Sequence, residues 1–298
     1  MLLHPPQVYM GGLGILVGGS AFVVVALPRL AQVWQSWAPA TCFPHHCFCE
    51  ALHFGHILQP SNTWSSLGFV FVGMWIFHRL DVESQAQRVR IRRSYLREEL
   101  DELGQWRLPL GSPRVLQKTL LSSHWFGFVL GLAVGFVGWF SAIYHATLRF
   151  VGQWFDLAAM YLLGTFVLVY ALARGGLLTG RGFVLTYIAL NSLLGVLQAY
   201  FPDARRSLFG VLILMALGAE VWQRKHSYSR IDRSWMVAAL VCLVTAFGIW
   251  YVDLHKLRCE PHSILQGHAA WHLLCAAAAF FLARYYFSEE YPPHPLVA

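Results

Sequence analysis

The chain has 298 residues, of which 57% are hydrophobic and only 12% charged, with a mean hydropathy of +0.49. A soluble domain carries about twice that share of charge, so the composition excludes a soluble protein and indicates an all-α polytopic membrane protein. The formal charge of +7 points to no nucleic-acid partner, because the basic residues gather in loops on one side of the predicted bundle.

A helix needs roughly 20 apolar residues to cross a bilayer. Such stretches occur at about 10–28, 61–79, 125–145, 154–174, 182–200, 207–223, 235–252 and 263–285. The first, GGLGILVGGSAFVVVALP, has no Lys or Arg ahead of it to form the basic region of a secretory leader. It is read as an additional N-terminal transmembrane helix rather than a cleaved signal peptide ending near Ala40. Residues 42–49, CFPHHCFC, allow two readings. One is a single disulfide with the other thiols free, in an oxidising compartment. The other is a zinc knuckle with His45 and His46 between the thiols.

After the second span comes a long inserted loop, 80–123. Its segment DVESQAQRVRIRRSYLREELDELGQW predicts a helix lying on the membrane surface, or else a solvated charged helix. In the third span Gly127, Gly131, Gly135 and Gly138 recur every three or four residues, a spacing that lets helices approach closely. Counted by alternate loops, sixteen Lys and Arg fall on the side of the 80–123 loop and the C-terminus, and six on the other. The positive-inside rule makes the first side cytoplasmic. Oligomeric state is not legible.

Within this frame a few polar residues stand at one depth. Ser141 and His145 end the third span, four residues apart and so on one helix face. Asp156 opens the fourth. His268 and His272, in GHAAWH, repeat the four-residue spacing at the start of the last span. Ionisable groups inside apolar spans are costly and mark function by default. Three histidines from two helices, two of them at i and i+4, suit a zinc ion with an open fourth position. Zinc would acidify a water there, with Asp156 as general base and Ser141 as a donor to the oxyanion. A Ser-His-Asp triad uses fewer of these residues, since it leaves His268 and His272 without a role. A haem-ligating pair leaves Ser141 and Asp156 unexplained. Simple hydrogen-bonded burial of each histidine is the remaining alternative.

At these residues the chain resembles the alkaline ceramidase family, in the superfamily that includes adiponectin-type receptors. The resemblance covers about 47–287 and rests on Cys49–Glu50, PSNTWSS at 60–66, SAIYHATL at 141–148, Asp156 and QGHAAWH at 266–272. It implies a seven-transmembrane-helix domain over 47–287, preceded by the extra helix and linker 1–46 and followed by the tail 288–298. It implies zinc on His145, His268 and His272, with Ser141 and Asp156 acting in hydrolysis of the N-acyl bond of ceramide or a similar membrane lipid. It also implies a disulfide between Cys49 and Cys259. Of the family's calcium ligands only Glu50 has a match; Cys47, Leu52 and Gln59 stand where others are expected, which argues against an intact Ca2+ site. The rival functions are a seven-helix lipid receptor or sensor that keeps zinc for structure, and a transporter with a polar site at the bilayer midplane.

Overall fold

The computed structural model describes residues 5–43, 47–53, 55–102, 124–227 and 229–290, and among them it is helical, with isolated bridges but no strand. Eight long helices follow in order: α1 (Pro5–Ala21), α2 (Pro60–Glu102), α3 (His124–Thr147), α4 (Phe150–Arg174), α5 (Gly180–Tyr200), α6 (Arg205–His226), α7 (Arg233–Leu254) and α8 (Gly267–Phe287). Among the described residues seven segments are long and apolar enough to cross a membrane: Tyr9–Ala26, Trp125–Thr147, Phe150–Arg174, Gly180–Tyr200, Arg205–His226, Arg233–Leu254 and Gly267–Phe287. The other predicted span, 61–79, lies in α2. Its apolar character is diluted because its first turns hold Asn62, Thr63 and Ser66, all fully buried.

The charged segment after that span is not a separate helix on the membrane surface. It continues α2 without a break to Glu102; residues 103–123, with the rest of the inserted loop, lie outside the described residues. At 1.5 Å per residue, the 43 residues of α2 run about 65 Å. The apolar layer is about 30 Å thick, so the charged half extends beyond it.

α2 packs against α1, α3 and α8, and α4 packs against α3, α5 and α6. The glycine spacing in α3 serves this packing. A Cβ on Gly131 would run into Phe77, and one on Gly138 into Val70 and the Ser66 carbonyl. Gly135, with Gly73 of α2, leaves the room that the buried side chain of Leu16 fills, which seats α1 on the bundle. Trp139 Nε1 donates to Ser20 Oγ at 3.2 Å and adds a polar tie to that contact.

α1 ends in a π-helical turn, Phe22–Ala26. The chain beyond it is stitched to the corner between α3 and α4: Ala40 N donates to Leu148 O, and Phe150 N to Ala38 O, both at 2.9 Å. Leu148 sits in the left-handed region with φ 47°, which costs a non-glycine residue roughly 1–2 kcal/mol. That turn reverses the chain between His145 and Asp156 and brings both to the same end of the bundle.

Two disulfides are present where the sequence led us to expect one. Cys49–Cys259 joins the segment ahead of α2 to the α7–α8 loop, with Cα atoms 5.4 Å apart. Cys42–Cys47 is the addition, and it overturns the zinc-knuckle reading because the thiolates that reading needs are consumed. Cys242 and Cys275 are free.

Candidate metal centre and the cavity beside it

His145, on the last turn of α3, and His268 and His272, on the first two turns of α8, are buried and face one another. One ligand atom from each lies within 4.8 Å of the others. The closest approach is 3.2 Å, between Nε2 of His145 and Nε2 of His268. Two nitrogens on a tetrahedral ion, each about 2.0–2.1 Å from it, stand about 3.3 Å apart. The donor set and its spacing therefore fit a metal ion.

The surroundings fix which nitrogen faces the cluster. His145 Nδ1 lies 2.9 Å from Gln59 Oε1, an acceptor, so Nδ1 carries the proton and Nε2 presents a lone pair. Ser65 and Ser66 each donate their one hydroxyl proton to Asn62 O, at 3.0 and 2.8 Å. Their oxygens stand 2.9 and 3.2 Å from His272 Nδ1 and accept from it, which leaves Nε2 of His272 as a second inward lone pair. Phe48 stacks on His268 with ring centroids 3.5 Å apart and restrains its tilt. Converging lone pairs in a buried pocket repel one another unless a cation lies among them, and oriented imidazoles of this kind are the usual setting of a metal.

Neighbouring side chains hold the two helix ends in register. The Asp253 carboxylate accepts from His268 N at 3.2 Å and from Cys49 N at 3.3 Å, so it caps α8 and ties it to the disulfide-bonded segment. Gly267 is required here, because a Cβ would lie 2.8 Å from Asp253 Oδ1. Glu50 has similar employment at α2. Its two oxygens accept from Ser61 N at 2.7 Å and Asn62 N at 2.9 Å, while burial raises its carboxyl above the ordinary value against the pull of those bonds. Cys47 is in a disulfide and Gln59 holds His145, so two of the positions where calcium ligands were expected are engaged in other contacts.

Ser141 Oγ lies 3.3 Å from His272 Nε2 and 3.2 Å from Ser66 Oγ, and Asp156 lines the same cavity. All five predicted site residues thus meet in one place. The sequence reading gave no role to Ser65, Ser66, Phe48 or Asp253. The signal for the serines was present in PSNTWSS, a polar run at the start of an otherwise apolar span.

A family model described as Ceramidase matches residues 112–289, more than half of the chain. The chain belongs to the ceramidase family. No curated protein matches it. Membership in the ceramidase family carries hydrolysis of ceramide in general, and the match spans α3 to α8, which contribute His145, Ser141, Asp156, His268 and His272.

A cavity of about 380 Å³ opens beside the centre of this ceramidase-family chain, and Ser141, Asp156, His268 and His272 line one end of it. It follows α8 from His268 to Leu282, about 21 Å at the helical rise. Its walls are apolar, with Met160, Leu163, Phe209, Leu240 and Phe247 among them. α6 packs on α4 and α7 packs on α8, but α6 and α7 do not pack closely on each other. The cavity lies between them. Its other end reaches Glu220, which is held by Arg174.

One prediction follows from the support of His145. Gln59→Leu removes the acceptor at Nδ1 while keeping a similar volume, and should weaken metal affinity about 10–100-fold, measured by competition with a chelator. Unchanged affinity would mean that Gln59 does not orient the ligand.

Proposed function

We propose that the chain is an intramembrane zinc-dependent amidase that hydrolyses the N-acyl bond of ceramide or a related lipid amide, giving a fatty acid and a sphingoid base. The observation that carries this reading is the position of the histidine cluster, Ser141 and Asp156 at one end of a long apolar cavity. His145, His268 and His272 would hold the zinc. When bound, it would polarise the amide carbonyl and make a water acidic enough to ionise near neutral pH.

The residues of the chain do the rest. Asp156 accepts the proton of the attacking water as the new C–O bond forms. Ser141 donates a hydrogen bond to the carbonyl oxygen as charge develops there. When the C–N bond breaks, Asp156 passes its proton to the leaving amine. The acyl chain lies between α6 and α7 with its end toward Glu220, and entry from the bilayer is lateral. A receptor with a structural zinc would need neither Ser141 nor Asp156, and both line the cavity.

We place the centre on the non-cytoplasmic side and the C-terminus in the cytoplasm. The charge count supports this, and so do the two disulfides at the same end as the centre, which suit an oxidising compartment. We assign the catalytic unit to 47–287, with 1–46 as an added helix and linker and 288–298 as a tail.

The test is release of fatty acid from N-acyl sphingosines of graded chain length by detergent-purified protein. Ala279→Phe, at a buried position on the cavity wall, should lower kcat/KM for long chains about tenfold or more and spare short ones, because overfilling costs about 1–3 kcal/mol. An unchanged chain-length profile would place the acyl chain elsewhere, and no release from any amide would refute the amidase reading.

A further inference from the structure

The histidine end of the cavity carries two positive charges that the hydrolysis described above does not use. Arg205 and Arg206 open α6 and line the same cavity as Ser141, Asp156, His268 and His272. Arg205 is half-buried, and its guanidinium donates to Thr41 Oγ1. The Arg206 guanidinium lies 5.7 Å from the centroid of the Trp250 ring. Both are held by uncharged partners. Among the described residues neither makes an ion pair at salt-bridge distance, although the acidic Asp203 stands on the exposed turn before the helix. Ala204 gives α6 no side-chain cap and no acidic residue follows in its first turn, so the helix end adds to the positive potential.

Asp156 is the acidic group lining this end of the cavity. The amine portion of a substrate whose carbonyl sits at the histidines must emerge toward these arginines, because the acyl chain occupies the other direction. A neutral sphingoid head group offers hydroxyls there and leaves two charges unmatched. We propose that Arg205 and Arg206 form a head-group subsite for an anionic N-acyl lipid, one carrying a phosphate or a carboxylate on the amine side. This rests on the amidase reading above. Arginine suits such a group because its planar fork matches both oxyanions in a bidentate manner.

The experiment compares three amides with one acyl chain: neutral ceramide, its 1-phosphate, and an N-acyl amino acid. The wild type should show kcat/KM about tenfold or more higher for at least one anionic substrate, the contribution of one charge-assisted hydrogen bond. Which of the two it prefers tells phosphate from carboxylate. Arg205→Gln with Arg206→Gln should bring the ratio of anionic to neutral substrate to about one, with metal content and melting temperature retained. Arg206→Gln alone, which gives up only the Trp250 contact, should lower the ratio in the same direction. Equal or faster turnover of neutral ceramide by the wild type would overturn the proposal, as would a double variant that keeps the preference. Fatty-acid inhibition measured alongside separates a product site: if the arginines hold the released carboxylate, inhibition weakens equally with all three substrates and the ratio stays put. Hydrolysis of none of the three would fail the amidase reading itself.

Discussion

Asp156→Asn should lower kcat for lipid-amide hydrolysis by about 10²–10⁴-fold, the usual contribution of a positioned general base. The substitution keeps the size of the side chain, but the amide cannot accept the proton of the attacking water. Asp156 is not among the three histidine donors, so metal content and melting temperature should stay near wild type. That separation gives the prediction its force. A merely structural aspartate would shift stability and activity together, and a receptor would bind lipid without hydrolysis in either form. Fatty-acid release and metal content, measured on the same purified sample, check it. Activity within tenfold of wild type would remove Asp156 from the chemistry.

Arg174→Ala should cost about 3–5 kcal/mol of stability, the loss seen when one partner of a buried ion pair is removed. The Arg174 side chain has no exposed surface. Its guanidinium reaches Glu220 at 2.9 and 3.0 Å and Glu289 at 2.9 and 3.1 Å, and Tyr285 and Tyr286 also donate to Glu220. The rings of Tyr170 and Tyr286 lie 5.5 and 5.2 Å from the cation. Removing the cation leaves two carboxylates buried together, tying α4, α6 and the chain after α8 to nothing. The readout is the melting temperature in detergent, or failure to recover folded protein. Glu289→Gln, which lowers the negative charge while keeping a hydrogen-bond acceptor, should cost less than Arg174→Ala. The reverse order would mean that the cluster is not held by its cation.

This cluster also marks the limit of what the sequence discloses. Arg174 closes an apolar run and reads as one more basic residue on the cytoplasmic side. Nothing in the linear order links it to Glu220, on another helix, or to Glu289, in the chain after α8. The histidines were legible for the opposite reason. Two four-residue spacings, Ser141 with His145 and His268 with His272, place each pair on one helix face, and alternation of the spans brings both faces to one depth. The resemblance to alkaline ceramidases rests on those residues together with Asp156 and the stretches at 49–50 and 60–66, and the family match over 112–289 takes in all of them but those two earlier stretches.

The supporting groups were harder to read. In the sequence Gln59 stands only where a calcium ligand is expected, and its bond to His145 depends on the turn from Leu58 to Gln59 pairing with the end of α3. Ser65 and Ser66 belong to a motif that shows no role in the linear sequence, since their oxygens acquire one only when α8 lies across α2. The second disulfide was missed because Cys42 and Cys47 sit in a short segment whose local fold no periodicity reports. The charged stretch after the second span has the composition of a separate surface helix, yet no Pro or Gly interrupts it and the helix of the span runs on.

The most direct measurement is the metal content of detergent-purified protein by mass spectrometry, wild type beside His268→Ala. The account predicts about one zinc per chain, lost in the variant, with the fold retained through the disulfides and the α2–α3 packing. Absence of zinc from active wild-type protein, or zinc that survives the substitution, would contradict the histidine centre on which the rest is built.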